Sequence, residues 1–216
     1  MSELTSDTGK MLALLVHDLR NPAATLTANV DFLSEVTISD PDGQDALDDL
    51  RTALLDIKAG LSRVSWIADG LLGRVDGRCR DGDAATAIKA RHAYAVANGS
   101  DFEVRGGATI ADLVDIFVEN AIRHDQRKKP AITIADEGDA GVVICVDGHG
   151  EPMLEEFRSI AFSLPGQDQI KGRSGGRYAR YCGLLAAASH VEGLGGSVLA
   201  TEHEGRPRFE IRLPRC

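Results

Sequence analysis

The sequence predicts an α+β protein in which a long helical hairpin precedes an α/β sandwich with a mostly antiparallel sheet. Between Leu12 and Leu71, apolar residues recur at alternating three- and four-residue spacing, which is typical of helices that pack side by side. Beyond that region, short β-branched runs bounded by glycine-bearing turns alternate with helical segments. The chain of 216 residues, 43% hydrophobic, is long enough to bury a core in each part.

The N-terminal domain, residues 1–73, is predicted to form two antiparallel helices. The first helix carries an apolar stripe from Leu12 to Leu33 and the second carries one from Leu47 to Leu71, and the turn-forming sequence TISDPDGQD separates them. One hairpin cannot bury both stripes by itself. We therefore expect it to pair with a second copy into a dimeric four-helix bundle.

The second domain, residues 80–216, begins after the glycine-rich, charged stretch GRVDGRCRDGD, which reads as a boundary. Helical periodicity is strongest in the segment that contains Phe117, and two β-branched runs joined by DEGDAG predict a hairpin. The predicted elements are helices at Ala84 to Ala97, Ile110 to His124 and Gly183 to Glu192, strands at Ala131 to Ala135 and Val142 to Val146, and the final strand pair SVLAT and RFEIRL.

Composition excludes several classes of protein. A net charge of −9 argues against binding to a nucleic-acid backbone, and no apolar run is long enough to span a membrane. The N-terminus does not read as a signal peptide, so we expect a cytoplasmic protein. Its four cysteines are far apart in sequence, without metal-ligand spacing, and we expect them to be reduced thiols.

The stretch LLVHDLRNPAATL places polar residues on an otherwise apolar helix. If Leu12, Leu15 and Leu19 define the seam, His17 falls at the most exposed heptad position, as an ordinary surface histidine or as a residue that meets a partner. Asp18 could accept an imidazole proton. Asn21, one turn later, could position a water or a phosphoryl oxygen.

Pro22 allows two interpretations. One helix could end here and another begin, with Asn21 as N-cap and Pro22 in the first helical position. Alternatively, one kinked helix continues through the proline. Because the apolar stripe resumes in register at Leu26, the sequence favours the continuous, kinked helix.

The motif HDLRNP, followed by a helical hairpin, resembles the phospho-acceptor motif of two-component histidine kinases. The resemblance implies that His17 accepts a phosphoryl group, that Asp18 is its acid/base neighbour, and that Asn21 assists dephosphorylation of a partner. It also implies a homodimer whose partners are response-regulator receiver domains. Leu14 and Val16, which lie off the leucine seam, are candidates for an apolar docking patch.

The segment IFVENAIRH resembles the asparagine box of the same family. The resemblance implies that Asn120 holds magnesium on the nucleotide phosphates if ATP binds; the alternative is a solvated residue at the helix edge. Ile116 replaces the first asparagine of the box. Before the last helix, ARYCGL retains only Gly183 and Leu184 of the family's glycine-rich pattern.

The segment VDGHGEP is similar to the family's DxGxG motif, whose aspartate recognises adenine. Matching Gly148 and Gly150 to the two glycines places Val146 where that aspartate is expected. A shift of one residue would bring Asp147 into its place but would break the glycine spacing and the strand alternation. Asp147, Gly148 and Gly150 are therefore expected to form a weak or vestigial nucleotide site.

These departures decide the predicted function. Each lost hydrogen bond to a charged group costs roughly 1.5–3 kcal/mol, or about ten- to a hundredfold in affinity. The sequence therefore favours a histidine phosphotransfer protein of a phosphorelay, which needs no cofactor and has only sixteen residues before His17. The alternatives are an ATP-dependent histidine kinase, which needs Mg-ATP, and a non-catalytic dimeric scaffold.

Overall fold

The structure is a computed structural model that describes residues 3–35, 41–75, 83–99, 102–125, 128–163, 166 and 182–216. The chain divides into two compact units, Met1–Leu72 and Gly73–Cys216. The first contains helices and the second combines helices with a mixed sheet, which confirms the α+β class. Of the predicted acidic loop, residues 37–40 lie outside the described residues, whereas residues 41–45 are helical and so correct that prediction. The glycine-rich loop before the last helix lies mostly outside the described residues.

The first unit is a pair of long helices, α1 (Glu3–Glu35) and α2 (Pro41–Leu72). The buried side chains within this pair are spaced by seven residues, except that Leu54 and Ala68 are fourteen residues apart. Val30, Leu47 and Leu54 form one buried cluster. The buried positions are Val16, Ala23 and Val30 on α1, and Leu47, Leu54 and Ala68 on α2.

The predicted leucine stripe of α1 is not the surface that contacts α2. Leu15, Leu19, Leu26 and Leu33 are exposed by 54%, 45%, 50% and 45% within the single chain. The buried row headed by Val16 lies beside this stripe on the helix surface. The leucines therefore form a second apolar face that α2 leaves uncovered within the single chain.

The helix α1 continues through Pro22, which confirms the continuous-helix interpretation. Because proline has no N–H, the carbonyl of Asp18 loses its donor four residues later, and the ring crowds that carbonyl. Just beyond, the hydroxyl groups of Thr25 and Thr27 donate to the carbonyl oxygens of Asn21 and Ala23 at 3.1 and 2.8 Å. The missing backbone hydrogen bond thus falls on the turn that carries His17 and Asp18.

The second unit is a five-stranded sheet with helices against one face. The strand order is β1-β2-β3-β5-β4, with β1 parallel to β2 and the other pairs antiparallel, so the mostly antiparallel sheet is confirmed. The elements are α3 (Ala84–Arg91), β1 (Val96–Asn98), α4 (Ile110–His124), β2 (Ala131–Asp136), β3 (Val142–Asp147), α5 (Glu155–Arg158), α6 (Cys182–Gly193), β4 (Ser197–His203) and β5 (Arg206–Leu213).

The strand β1 corrects the prediction of a helix from Ala84 to Ala97. Helix α3 ends at Arg91, and the ring of His92 lies 2.7 Å from the carboxylate of Asp115 on α4. Val96 then pairs with Thr133 of β2. The alanine-rich composition favours a helix locally, but this contact with α4 and the strand pairing override the local preference.

The core of this unit lies between α4 and the sheet. Leu113, Val114 and Phe117 of α4 are fully buried, and the Phe117 ring centroid lies 5.1 Å from that of Phe209 on β5. Phe209 is directly opposite Val146 in the β3–β5 pair. Since directly paired residues share a face of the sheet, Val146 lies on the helix-covered face.

The cysteines differ from the expectation of reduced thiols. Cys145 is free and half-buried, and burial raises the pKa of its thiol. Cys216 is disulfide-bonded, so the expectation is wrong for this residue. Spacing along the chain does not reveal which thiols meet in space.

Candidate functional site

The imidazole of His17 extends outward from α1. Its side chain is 78% exposed, that of Asp18 is 80% exposed, and His17 Nδ1 lies 3.4 Å from Asp18 Oδ1. Asn21 is also exposed. At roughly 100° per residue, Asn21 lies within about 40° of His17 around the helix, one turn later, so the three side chains form one polar group.

Neither apolar face of α1 covers His17. The histidine lies about 100° from the buried row at Val16 and about 160° from Leu15 and Leu19, at roughly 100° per residue. A second hairpin on the leucine face would therefore leave the imidazole accessible. The acceptor role of His17 stays a prediction, but the ring is placed where a donor or partner could reach it.

A groove of about 570 Å³ between α1 and α2 begins one turn beyond His17. Val16 does not belong to this surface, because it is only 3% exposed and packs inside the hairpin. The predicted docking patch of Leu14 and Val16 is therefore wrong in its second member. Most of the side chains that line the groove are small, and two cations and one carboxylate lie among them. The lining includes Arg20, Ala24, Thr27, Ala28, Asp31, Lys58 and Ser62.

Arg20 is a residue that the sequence reasoning missed. It lies three residues after His17, and residues at this spacing are neighbours on a helix surface. Its guanidinium donates to Ser65 Oγ of α2 at 3.4 Å, and Ser65 Oγ donates to Asp69 Oδ2 at 3.5 Å. Both are long contacts for hydrogen bonds. The signal available in the sequence was the cation three residues after the histidine in HDLRNP.

In the second unit, Gly148 lies against the end of α4. A Cβ atom built on Gly148 would be 3.1 Å from Pro207 Cγ and 3.6 Å from Ala121 Cβ. Ala121 follows Asn120, which is partly exposed on α4. The structure therefore brings Gly148 close to α4 next to Asn120. Gly150 follows in the same loop and is also partly exposed.

Asp147 forms an ion pair on the other face of the sheet. Arg208 Nε donates to Asp147 Oδ1 at 2.6 Å, and Arg208 Nη2 donates to Asp147 Oδ2 at 2.8 Å. This pairing raises the pKa of Arg208. Because neighbouring strand residues point to opposite faces, Asp147 cannot share the helix-covered face with Val146. Its carboxylate is engaged within the sheet.

The residues beside α4 fit the metal and phosphate side of a magnesium nucleotide. The side-chain oxygen of Asn120 is the hard ligand that Mg²⁺ prefers, and glycine at position 148 lets backbone approach closely. Among the described residues, no group of three or more His, Cys, Asp or Glu side chains is arranged to hold a metal ion. Asp147 does not place its carboxylate on this face, so it cannot contact the adenine base there.

Comparisons with known proteins identify similar chains, although no family model matches. Sensor-type histidine kinase PrrB is 24% identical over 212 residues in Mycobacterium leprae and 25% identical over 213 residues in Mycobacterium tuberculosis. The matches cover 93% and 94% of this chain but 46% and 47% of the relatives. The chain thus spans about half the length of these relatives.

Solved structures show the same fold. Full-length ShkA in complex with AMPPNP superposes with a TM-score of 0.61 at 15% identity, over 96% of this chain and 46% of ShkA. Histidine kinase ThkA in complex with response regulator protein TrrA superposes with a TM-score of 0.50 at 14% identity, over 96% of this chain and 62% of that one. No described helix is long and apolar enough to cross a membrane.

These findings contradict the predicted nucleotide-free phosphotransfer protein. The relatives that match across nearly the whole chain are named as sensor histidine kinases. The prediction weighed mismatches at Val146 and in the last glycine motif as a loss of nucleotide affinity, and most of that motif's loop lies outside the described residues. In sequence and in fold, this chain resembles the catalytic core of sensor histidine kinases.

Proposed function

We propose that this chain is the catalytic core of an ATP-dependent histidine kinase that phosphorylates His17. The observation that carries the proposal is the exposed imidazole with Asp18 at its Nδ1, on a hairpin that precedes an ATPase-like unit. The kinase names of the PrrB relatives and the AMPPNP complex of ShkA support it.

Asp18 would prepare the ring for attack. A proton on Nδ1 facing the Asp18 carboxylate leaves the lone pair of Nε2 free on the exposed side of the ring. Nε2 would form the new bond to the γ-phosphorus as the bond to the bridging oxygen breaks and ADP leaves, while Asp18 takes up the Nδ1 proton. The 3.4 Å separation between Nδ1 and Oδ1 is long, and such contacts commonly shorten when the reacting groups assemble.

Mg-ATP, when bound, supplies the phosphoryl group and the metal charge that stabilises its transfer. Asn120 would hold the metal, and the backbone at Gly148 and Gly150 would lie near the phosphates. Asp147 would remain with Arg208 in the sheet and would not contact the nucleotide. Asn21, exposed beside His17, would position a water when the partner is dephosphorylated.

The homodimer belongs to the same proposal. Four leucines of α1 form an exposed stripe between Leu15 and Leu33, and Leu50 and Ile57 of α2 are 50% and 47% exposed. Burial of such side chains stabilises association by roughly 1.5–3 kcal/mol each when complete. A second copy of the hairpin would cover both helices' apolar residues and form a four-helix bundle.

A response-regulator receiver domain is the proposed partner of the phosphorylated histidine. ThkA, a structure of the same fold, is in complex with the response regulator TrrA. The groove beside His17 is lined by alanine and threonine side chains, by the cations of Arg20 and Lys58, and by the carboxylate of Asp31. This surface suits a receiver helix whose neighbouring acidic side chains complement the two cations.

The test is incubation of the full chain with ATP labelled on the γ-phosphate and Mg²⁺. The label should be stable in base, labile in acid, and absent from His17→Gln. The matched control is His203→Gln, which removes another exposed histidine at the end of β4 and should keep the label. Asn120→Ala should reduce labelling. An unlabelled wild-type chain would contradict the proposal and favour a scaffold role, and label that survives in His17→Gln would contradict the assignment of His17 as the acceptor.

A further inference from the structure

We propose that Arg20 pairs with the phosphoryl group once it is on His17, and so acts as a positioning residue of the phosphorylated state. This inference rests on the proposed phosphorylation of His17. Residues three apart on a helix have Cβ atoms about 5–6 Å from each other. An arginine at that spacing can place its guanidinium beside a group attached to the imidazole.

The two charged neighbours of His17 lie on opposite sides of it. At roughly 100° per residue, Asp18 lies about 100° to one side around α1, and Arg20 lies about 60° to the other, towards the groove. Asp18 approaches Nδ1, so the phosphoryl group forms on Nε2, the other ring nitrogen. Asp18 therefore accepts the Nδ1 proton, and the guanidinium of Arg20 can pair with the phosphoryl oxygens.

In the unphosphorylated chain Arg20 is held only weakly. Its guanidinium donates to a neutral hydroxyl, Ser65 Oγ, over 3.4 Å. The charged side chains nearby on the two helices include Asp18, two residues before it on α1, Asp31 and Lys58, which line the same groove, and Asp69 on α2. Asp69 contacts Ser65 at 3.5 Å. A doubly charged phosphoryl group is a stronger acceptor than a serine hydroxyl, so phosphorylation would draw Arg20 from Ser65 to His17.

This pairing has a measurable consequence that a structural role for Arg20 would not have. A cation beside the phosphoryl group favours its fully ionised form and lowers its second pKa. Replacing Arg20 with glutamine should therefore raise that pKa by about 0.5 unit, less than for a buried pair because the site is exposed. The pKa can be read from the phosphorus NMR shift of the phosphohistidine across pH.

The experiment phosphorylates the full chain with phosphoramidate, which transfers its phosphoryl group to imidazole nitrogen and releases ammonia. No nucleotide is needed, so a failure of the kinase proposal does not affect the result. Wild type, Arg20→Gln, Arg20→Lys and the control Arg51→Gln are titrated. Arg51 pairs with Asp48 and lies 14 residues before Ser65 on α2, about 20 Å along the helix axis.

Arg20→Gln should raise the midpoint, Arg51→Gln should leave it unchanged, and Arg20→Lys should stay nearer to wild type because it keeps the charge. Circular dichroism melting of the unphosphorylated variants separates this effect from loss of the hairpin. Equal midpoints for wild type and a folded Arg20→Gln would overturn the inference. A shift as large in Arg51→Gln would overturn it as well.

Discussion

Replacing Asp147 with asparagine tests whether this carboxylate belongs to the sheet or to the nucleotide site. The side chains of Asp147 and Arg208 are only 15% and 20% exposed, and two hydrogen bonds join them. Removal of one partner costs roughly 0.2–1 kcal/mol for an exposed pair and 3–5 kcal/mol for a buried one. For this largely buried pair we expect a loss of about 1.5–2.5 kcal/mol.

At about 2–4 °C per kcal/mol for a unit of this size, the substitution should lower the Tm by about 3–10 °C. The assay combines thermal denaturation with a Mg-ATP titration of the same protein. Affinity for ATP should stay within about twofold of wild type, since Asp147 faces away from α4. The graded control is Glu202→Gln, which removes a single contact of 2.7 Å to Arg158 at a more exposed position and should lower the Tm less. An unchanged Tm together with a tenfold weaker affinity for ATP would refute this reasoning.

Three further outcomes follow from the fold. Pro22→Ala should raise the Tm of the hairpin, because a proline inside a helix costs about 3 kcal/mol relative to alanine. It should also slow phosphorylation if the turn that Pro22 interrupts positions His17. A lower Tm would contradict this. The double variant Leu19→Asp with Leu26→Asp should convert the dimer to a monomer in light scattering. The control Leu14→Asp should remain dimeric, because Leu14 is 66% exposed but lies off the stripe. A dimer in both variants would exclude the leucine face as the dimer interface. Phe117→Ala should destabilise the second unit by about 3–5 kcal/mol, because the ring is fully buried, and denaturant titration should detect this loss while the hairpin remains helical.

Periodicity predicted the helices and most strands because each has one buried face. Helix α4 is bounded at Ile110 and His124, as predicted. Periodicity could not assign the two apolar rows of α1, because Val16 and Leu15 both belong to heptad rows. Which row meets α2 depends on how the two helices are rotated, and that is set by contacts between them.

Long-range contacts explain the other differences. The sequence around Ala95 favours a helix by composition, but the pairing of Val96 with Thr133 is invisible to local propensity. The outward position of His17 followed from the heptad pattern. The partner of Asp147 did not, because Arg208 lies 61 residues away in sequence and meets it only across the β3–β5 pair. The prediction of a nucleotide-free phosphotransfer protein was wrong because it counted side-chain mismatches in the nucleotide motifs and left out the contacts that backbone groups make.

The most direct test of the proposed kinase is a calorimetric titration of the full chain with Mg-ATP. The account predicts saturable binding with one nucleotide per chain at micromolar to sub-millimolar concentration, and weaker binding in Asn120→Ala. Binding should also raise the Tm of the second unit, since a ligand that binds only the folded state stabilises it. Absence of binding at millimolar Mg-ATP by a folded chain would contradict the account, because His17 would then have no donor within this protein.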